Sequence, residues 1–87
     1  MSKNIVLSRQ FQKIISRLPR KIQLQFKDRL ELFLENDHHP LLNHHRLTGK
    51  LKEYYSINVT GDWRALYSIQ DDTIVFEVIG THSQLYK

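Results

Sequence analysis

The first half of the chain places its apolar residues with the period of an α-helix. A short apolar run at residues 5–7 predicts an edge strand, and Ser8 follows it where a helix N-cap is expected. Pro19 separates two apolar stripes with three- and four-residue spacing, and it suits the first turn of a new helix. The stripes are Phe11, Ile14, Ile15 and Leu18, then Ile22, Phe26, Leu30, Phe33 and Leu34. We therefore predict a short strand and a helical hairpin that ends near Asn36.

Beyond residue 52 the period of the pattern changes to two, which is typical of β-strands. A three-residue loop at 60–62 and a two-residue loop at 71–72 would bring the apolar positions of three strands onto one face. The pairs expected from these loops are Val59 with Trp63, Ile57 with Ala65, Tyr55 with Tyr67, Ile69 with Ile74, Tyr67 with Phe76, and Ala65 with Val78. We predict an α+β fold of order β-α-α-β-β-β, in which the N-terminal short strand and the helical hairpin pack on one face of an antiparallel sheet.

The same register predicts a polar second face of the sheet. The residues expected on it are Tyr54, Asn58, Arg64 and Glu77. Asn58 is predicted to lie opposite Arg64, and Glu77 on the diagonal from it. An arginine in this position can bind a phosphate through two parallel hydrogen bonds, or it can form a cross-strand ion pair with Glu77. Both interpretations remain open from the residues alone.

Length and charge limit the classes of function. With 87 residues we expect a single domain spanning 1–87, which is too small to add a nucleotide-binding fold. The formal net charge of +4 favours an anionic partner, either nucleic acid or an acidic protein, although a solvated basic surface would give the same value. No segment approaches the roughly 20 apolar residues of a membrane helix. The absence of cysteine fits a reducing compartment, so we expect a cytoplasmic protein that does not associate with a membrane.

A polar loop between the helices and the strands contains four of the five histidines. They form two adjacent pairs, His38 with His39 and His44 with His45, rather than the spacing of metal ligands. Neither a cysteine nor an acidic ligand at a suitable spacing joins them. We therefore predict no metal site and no cofactor.

The last quarter of the chain carries a family resemblance. Residues 61–64 read Gly-Asp-Trp-Arg before the second strand, and residues 80–86 read Gly-Thr-His-Ser-Gln-Leu-Tyr after the third. Together with the order helix, helix, basic loop and meander, these motifs resemble the RelE/ParE superfamily of toxins from bacterial toxin–antitoxin pairs, and most of all its YafQ-type branch. The resemblance covers nearly the whole chain. It implies a messenger-RNA endoribonuclease that cuts in the ribosomal A site and is restrained by a cognate antitoxin protein.

The resemblance also implies positions for a site. His45, Asp62, Trp63 and His82 match residues of the YafQ-type branch, and Tyr86 stands where that branch has a phenylalanine. In the RelE branch, by contrast, a tyrosine near the chain end and an arginine like Arg64 belong to the active site. Asn58 departs from both branches, because the YafQ branch has a histidine and the RelE branch has lysines on this strand. His45, Lys50 or Lys52 could supply the missing acid–base or charged group, or the activity could be weak.

The chemistry of RNA cleavage gives these residues roles. Attack by the ribose 2′-hydroxyl needs a base, a cation for the phosphorane oxygens and an acid for the leaving 5′ oxygen. We assign His82 as general acid or base, His45 as its complement, and Arg64 to the phosphate. Tyr86 would orient or stack on a nucleotide. Asp62 would hold a histidine or the turn. The expected RNA contacts are Lys50, Lys52, Asn58 and Trp63, although the register pairs Trp63 with apolar residues and so favours the core for its ring.

Two other functions fit the same scaffold. One is a non-enzymatic toxin, similar to ParE, that binds DNA gyrase. The other is a basic RNA-binding module without catalysis, since the fold alone does not determine the activity.

Overall fold

Five strands form one mixed sheet, and two helices cover one of its faces. The computed structural model describes residues 4–86. Its elements are β1 (Asn4–Leu7), α1 (Arg9–Ser16), α2 (Arg20–Glu35), β2 (His45–Arg46), β3 (Tyr55–Asn58), β4 (Trp63–Gln70), β5 (Thr73–Thr81) and α3 (His82–Leu85). The strand order is β1-β5-β4-β3-β2. Of the helices in the described residues, none is both long and apolar enough to span a bilayer.

The predicted fold class is confirmed, with two additions to the sheet. Strands β3, β4 and β5 form the expected antiparallel meander, and β1 is an edge strand. However, β1 pairs with β5 in parallel, because the helical hairpin carries the chain across the sheet before the meander begins. The polar loop also contributes the two-residue strand β2, which pairs with β3. So short a strand leaves no periodic signal in the sequence.

Local hydrogen bonds fix the predicted helical hairpin. Ser8 caps α1, since its Oγ accepts a hydrogen bond from the backbone N–H of Phe11 at 3.0 Å. Pro19 lies at the N-cap of α2, one residue before the first turn. Gln23 Nε2 donates to the carbonyls of Ile15 and Leu18 at 3.0 and 3.1 Å, which satisfies two groups at the end of α1. This side chain therefore joins the two helices.

The core lies between the helical hairpin and the sheet and is rich in aromatic rings. Phe11 and Phe26 are 4.9 Å apart between ring centroids, and Phe26 meets Phe76 of β5 edge to face at 5.4 Å. Tyr55 and Tyr67 stack across β3 and β4 at 5.1 Å. Such pairs each contribute about 0.5–1.5 kcal/mol of stability beyond the contribution from burying their surface. The predicted apolar face is therefore the face that the helices cover.

The predicted register is confirmed for β3–β4 and for the end of the second hairpin. Ile57 lies opposite Ala65, and Tyr67 lies opposite Phe76. The prediction that Ala65 pairs with Val78 is wrong. Leu66 pairs with Val78 and Tyr67 with Phe76, so that β5 carries one extra residue, Glu77, in a β-bulge. Ala65 consequently pairs with Ile79.

The bulge also corrects the predicted position of Glu77. This residue is not diagonal to Arg64, because the extra residue shifts β5 by one and brings Gly80 opposite Arg64. The side chain of Glu77 instead accepts a hydrogen bond from Ser68. The proposed ion pair between Arg64 and Glu77 is therefore excluded by the register.

Truncating the two side chains that follow Glu77 tests the position of the bulge. Ile79 faces the core and is 3% exposed, whereas Val78 is half-buried on the other face. We expect Ile79→Ala to lower the free energy of unfolding by about 2–5 kcal/mol and Val78→Ala by about 1–2 kcal/mol, measured by urea denaturation. If Ile79→Ala does not fold, Ile79→Val replaces it, with an expected loss of unfolding free energy of about 0.5–1.5 kcal/mol. A strictly alternating strand would reverse the order of the two alanine variants.

Candidate functional site

The chain that follows β5 folds back onto the face of the sheet opposite the helices, which we call the open face. Thr81 and Gln84 form a capping box, with Gln84 Oε1 accepting from the Thr81 N–H at 2.9 Å. The N–H of His82 donates to the carbonyl of Asp62 at 2.9 Å, which ties the start of α3 to the β3–β4 turn. A Cβ on Gly80 would approach Gln84 Oε1 to 3.1 Å and Leu85 Cδ2 to 3.2 Å. Glycine therefore allows α3 to lie close to the sheet.

Tyr86 is anchored to the sheet by a buried serine. Its hydroxyl donates to Ser56 Oγ at 3.0 Å, and Ser56 is 0% exposed at the middle of β3. The ring of Tyr86 in turn meets the His82 ring edge to face, with 4.6 Å between centroids. The imidazole of His82 remains exposed to solvent. The hydrogen bond to Ser56 thus positions the pair of rings that the sequence placed near the end of the chain.

His45 joins this group through the sheet register. It pairs with Ser56 across β2 and β3, and directly paired residues point to the same face. We call His45, Ser56, Leu66 and Val78 the central row of the open face. Nδ1 of His45 lies 2.7 Å from the carbonyl oxygen of Asn43, which can only accept, so Nδ1 is the donor. In the neutral ring, Nε2 then carries the free lone pair that a general base needs.

The next row of the open face contains Asn58, Arg64 and Gly80, which we call the upper row. Arg64 Nη1 donates to three carbonyls of the β3–β4 turn, those of Thr60, Gly61 and Trp63, at 3.0–3.1 Å. Within residues 4–86 these are the hydrogen bonds of the guanidinium, so Nε and Nη2 stay available for an anion. Oδ1 of Asn58 is buried and makes no hydrogen bond with the described residues. An acceptor of this kind suggests a functional position.

The remaining predicted site residues lie around this centre. Lys50 lines a groove of about 360 Å³ that ends at Tyr86. Lys52 is exposed, and its carbonyl accepts a hydrogen bond from Arg46. Asp62 is an exposed turn residue whose backbone holds His82. Trp63 is not brought together with them, because its half-buried side chain packs against the core on the helix side of the sheet.

The histidine of the polar loop next to His45 has a different environment. His44 lies edge to face on Phe33 at 5.3 Å, and its Nε2 contacts the hydroxyl of Tyr67. Burial is the main cause that raises the pKa of the Tyr67 phenol, with the neighbouring Tyr55 adding to it. His44 therefore belongs to the packing of the core. Among the described residues, no group of three histidine, aspartate or glutamate side chains is placed to hold a metal ion.

Ser56 is the site residue that sequence reasoning missed. The period of two already places it on the same face as Asn58, two residues further along β3. Its partner Tyr86 is 30 residues away, however, and the contact depends on how α3 folds back. The sequence therefore indicated the face of Ser56 but gave no sign of its partner.

Comparison with known proteins extends this description. A family model described as "Bacterial toxin of type II toxin-antitoxin system, YafQ" matches residues 3–87. The chain is similar to a crystal structure of YafQ from E. coli, with 27% identity, 98% and 99% of the two chains covered, and a TM-score of 0.75. It is also similar to a structure of the E. coli DinJ–YafQ toxin–antitoxin complex, with 25% identity, full coverage of both chains and a TM-score of 0.77.

A more distant structure has the same fold. It is the RelBE2 toxin–antitoxin complex of Mycobacterium tuberculosis, with 21% identity, 94% and 100% coverage and a TM-score of 0.66. No curated protein gives a significant sequence match.

A double-mutant cycle on Tyr86 and Ser56 tests the anchor. We expect Tyr86→Phe to lower the free energy of unfolding by about 1–3 kcal/mol, because it leaves the buried Ser56 hydroxyl without its partner. Ser56→Ala should cost about 1 kcal/mol, and the double variant should cost less than the sum of the two. The unfolding free energies come from urea denaturation. Additive costs would mean that the two hydroxyls do not interact in solution.

Proposed function

Because the chain belongs to the YafQ family of bacterial type II toxins, within the RelE/ParE superfamily, we propose that it is a ribosome-dependent endoribonuclease. In this proposal residues 1–87 form one toxin domain, which acts in the cytoplasm on messenger RNA in the ribosomal A site. The observation that carries the proposal is the grouping of His45, Ser56, His82 and Tyr86 on the open face, with Arg64 in the neighbouring row. This grouping can supply the base, the acid and the cation that cleavage of RNA requires.

The reaction begins at the ribose 2′-hydroxyl. His45 Nε2 is suited to take the hydroxyl proton, since Nδ1 is already a donor to Asn43. The 2′ oxygen then bonds to the neighbouring phosphorus. The bond from phosphorus to the 5′ oxygen breaks, and His82 gives a proton to that oxygen. The products are a 2′,3′-cyclic phosphate and a free 5′-hydroxyl.

The upper row stabilises the phosphate during this step. Arg64 is held by its Nη1 on the β3–β4 turn, so that the rest of its guanidinium can face two phosphate oxygens. Such a donor acts without rearrangement because its position is already fixed. Asn58 lies opposite Arg64, and because its Oδ1 is buried it would contact RNA through the amide nitrogen Nδ2, which can only donate. Asp62 supports the site indirectly, because its carbonyl fixes the start of α3.

Contacts with the rest of the message lie to the side of this centre. Lys50 borders the groove that leads to Tyr86, and Lys52 follows it in the same loop. Both ammonium groups can bind RNA phosphates. The Tyr86 ring offers a surface on which a base can stack. Trp63 packs against the core, so only the exposed portion of its ring can contact RNA.

A cognate antitoxin is the second partner that we propose. The E. coli relative has been solved in a toxin–antitoxin complex with DinJ. An acidic or amphipathic segment that lies across the open face would compete with RNA for the basic residues. Such a segment would block the central row without any change in the fold.

Cleavage in a reconstituted translation reaction tests the nuclease. We expect cuts within codons that require ribosomes, mapped by primer extension, and a loss of about 100-fold or more in rate for His82→Ala. His38→Ala is the matched control, because this loop histidine is 90% exposed and lies outside the site. Equal activity of both variants would remove His82 from the chemistry. An intact message with wild-type protein, together with inhibition of gyrase supercoiling, would replace the nuclease by a ParE-like inhibitor.

Changing Asn58 tests the departure from the family pattern. Because the YafQ-type branch has a histidine here, we expect Asn58→His to raise the cleavage rate by about 10-fold or more through added acid–base catalysis. Asn58→Ala should not raise it. The comparison uses the same translation reaction at equal protein concentration. A fall in rate for Asn58→His would mean that the amide itself is needed in the upper row.

A further inference from the structure

A polar cleft opens beside the central row and has no part in the proposed cleavage chemistry. Its volume is about 570 Å³. The residues that line it are Arg46, Glu53, Tyr54, Tyr55, Ser68, Ile69, Gln70 and Glu77. Two carboxylates against one guanidinium, on a chain of net charge +4, make it unlike the basic surface around it. A phosphate would be repelled beside the two carboxylates, away from Arg46, whereas a ligand rich in N–H donors would be attracted there.

The sheet register places this cleft one step from the proposed catalytic centre. Continuing the β3–β4 register by one pair puts Tyr54 beside Ser68, and Ser68 bonds to Glu77. These three residues form a lower row of the open face. Successive same-face residues of a strand are roughly 7 Å apart, which is the distance from this row to Ser56 and Leu66. A nucleotide next to the cleaved bond can therefore reach the cleft with its base.

The carboxylate of Glu77 lines this cleft and accepts hydrogen bonds. Its Oε2 accepts a hydrogen bond from the Ser68 hydroxyl, and Ser68 Oγ in turn accepts one from Gln70 Nε2 at 3.3 Å. A carboxylate offers about four acceptor positions, so several remain for a ligand. Tyr54 lies close to it: burial, followed by the charges of Glu77 and Glu53, raises the pKa of the phenol. The phenol is thus close enough to both carboxylates for its ring to form one wall of the cleft.

The donor pattern of the four RNA bases selects one of them. A fixed carboxylate binds best to two adjacent N–H donors through parallel hydrogen bonds. Guanine presents such a pair, N1–H and the N2 amino group, on its Watson–Crick edge. Adenine and cytosine present one donor beside an acceptor, and uracil presents one donor between two carbonyls. Splayed bases are commonly read in this way, with an aromatic ring stacked on the base.

We propose that the lower row is a guanine-binding subsite, with Glu77 as the acceptor for N1–H and N2–H and Tyr54 as the stacking surface. The subsite rests on the proposed function, because it would give the nuclease a preference for codons with guanine beside the cleaved bond. Arg46, exposed at the rim of the cleft, is placed to contact the phosphate of the same nucleotide.

Binding of mononucleotides tests the subsite without any need for cleavage. The protein is titrated with GMP, inosine 5′-monophosphate and AMP, and its backbone amide NMR signals are followed. These ligands share the phosphate and differ at the base. We expect GMP to shift the signals of residues 53–54, 68–70 and 77, and to bind at least about 5-fold more tightly than either of the others.

Matched variants separate the base contact from general effects. Glu77→Gln keeps an acceptor for Ser68 but replaces one carboxylate oxygen by an amide donor, so it should remove the preference for GMP. Glu31→Gln makes the same change on the exposed surface of α2 and should leave it intact. Tyr54→Phe should retain binding because the ring remains, and Tyr54→Ala should weaken it for every base.

Four outcomes would overturn the proposed guanine-binding subsite. If GMP and AMP bind equally, or if the shifts occur at His82 and Tyr86 alone, the lower row does not read guanine. If argininamide, used as a probe for an antitoxin side chain, shifts the cleft signals and GMP does not, the cleft binds protein instead of RNA. Cleavage of messages in the translation reaction, with GMP binding absent, would reject the subsite and keep the nuclease.

Discussion

The extra residue in β5 is the constraint on which the open face depends. Before the bulge, Phe76 points towards the helices, and after it Ile79 does so, which returns an apolar side chain to the core. Gly80 consequently moves to the open face, opposite Arg64. Since a larger side chain at Gly80 would crowd α3, a strictly alternating strand would leave no room for the C-terminal turn in its present place. A local irregularity thus decides where the last residues of the chain lie.

Several independent contacts hold the C-terminal turn, which carries two of the residues in the proposed chemistry. The capping box closes α3, the His82 N–H joins it to the β3–β4 turn, and the Tyr86 hydroxyl reaches the buried Ser56. A four-residue helix has little stability of its own, so these tertiary contacts are what fix the His82 ring. Arg64 depends on the same turn through its Nη1. The hairpin turn at Asp62 therefore positions both the cation and the C-terminal histidine.

Much of the fold could be predicted because its signals are local. The spacing of apolar residues and the cap at Ser8 indicated the helical hairpin, and the loop at 60–62 fixed the register that puts Asn58 opposite Arg64. The bulge could not be predicted, since Val78 and Ile79 are both apolar and either could continue the pattern. The anchor of Tyr86 on Ser56 joins residues 30 positions apart. The roles of the candidate site residues remain proposals, because they depend on contacts with RNA as well as on placement.

The bulge residue itself lines the polar cleft. A bulge commonly re-aims a side chain beside a functional site. Here the residue inserted is Glu77, so the step that brings Gly80 under α3 also directs a carboxylate towards Ser68 and the polar cleft. Removing the residue would restore strict alternation, and the glycine and the carboxylate would both lose their places. The position of Gly80 beneath α3 and the position of Glu77 in the polar cleft therefore both depend on one inserted residue.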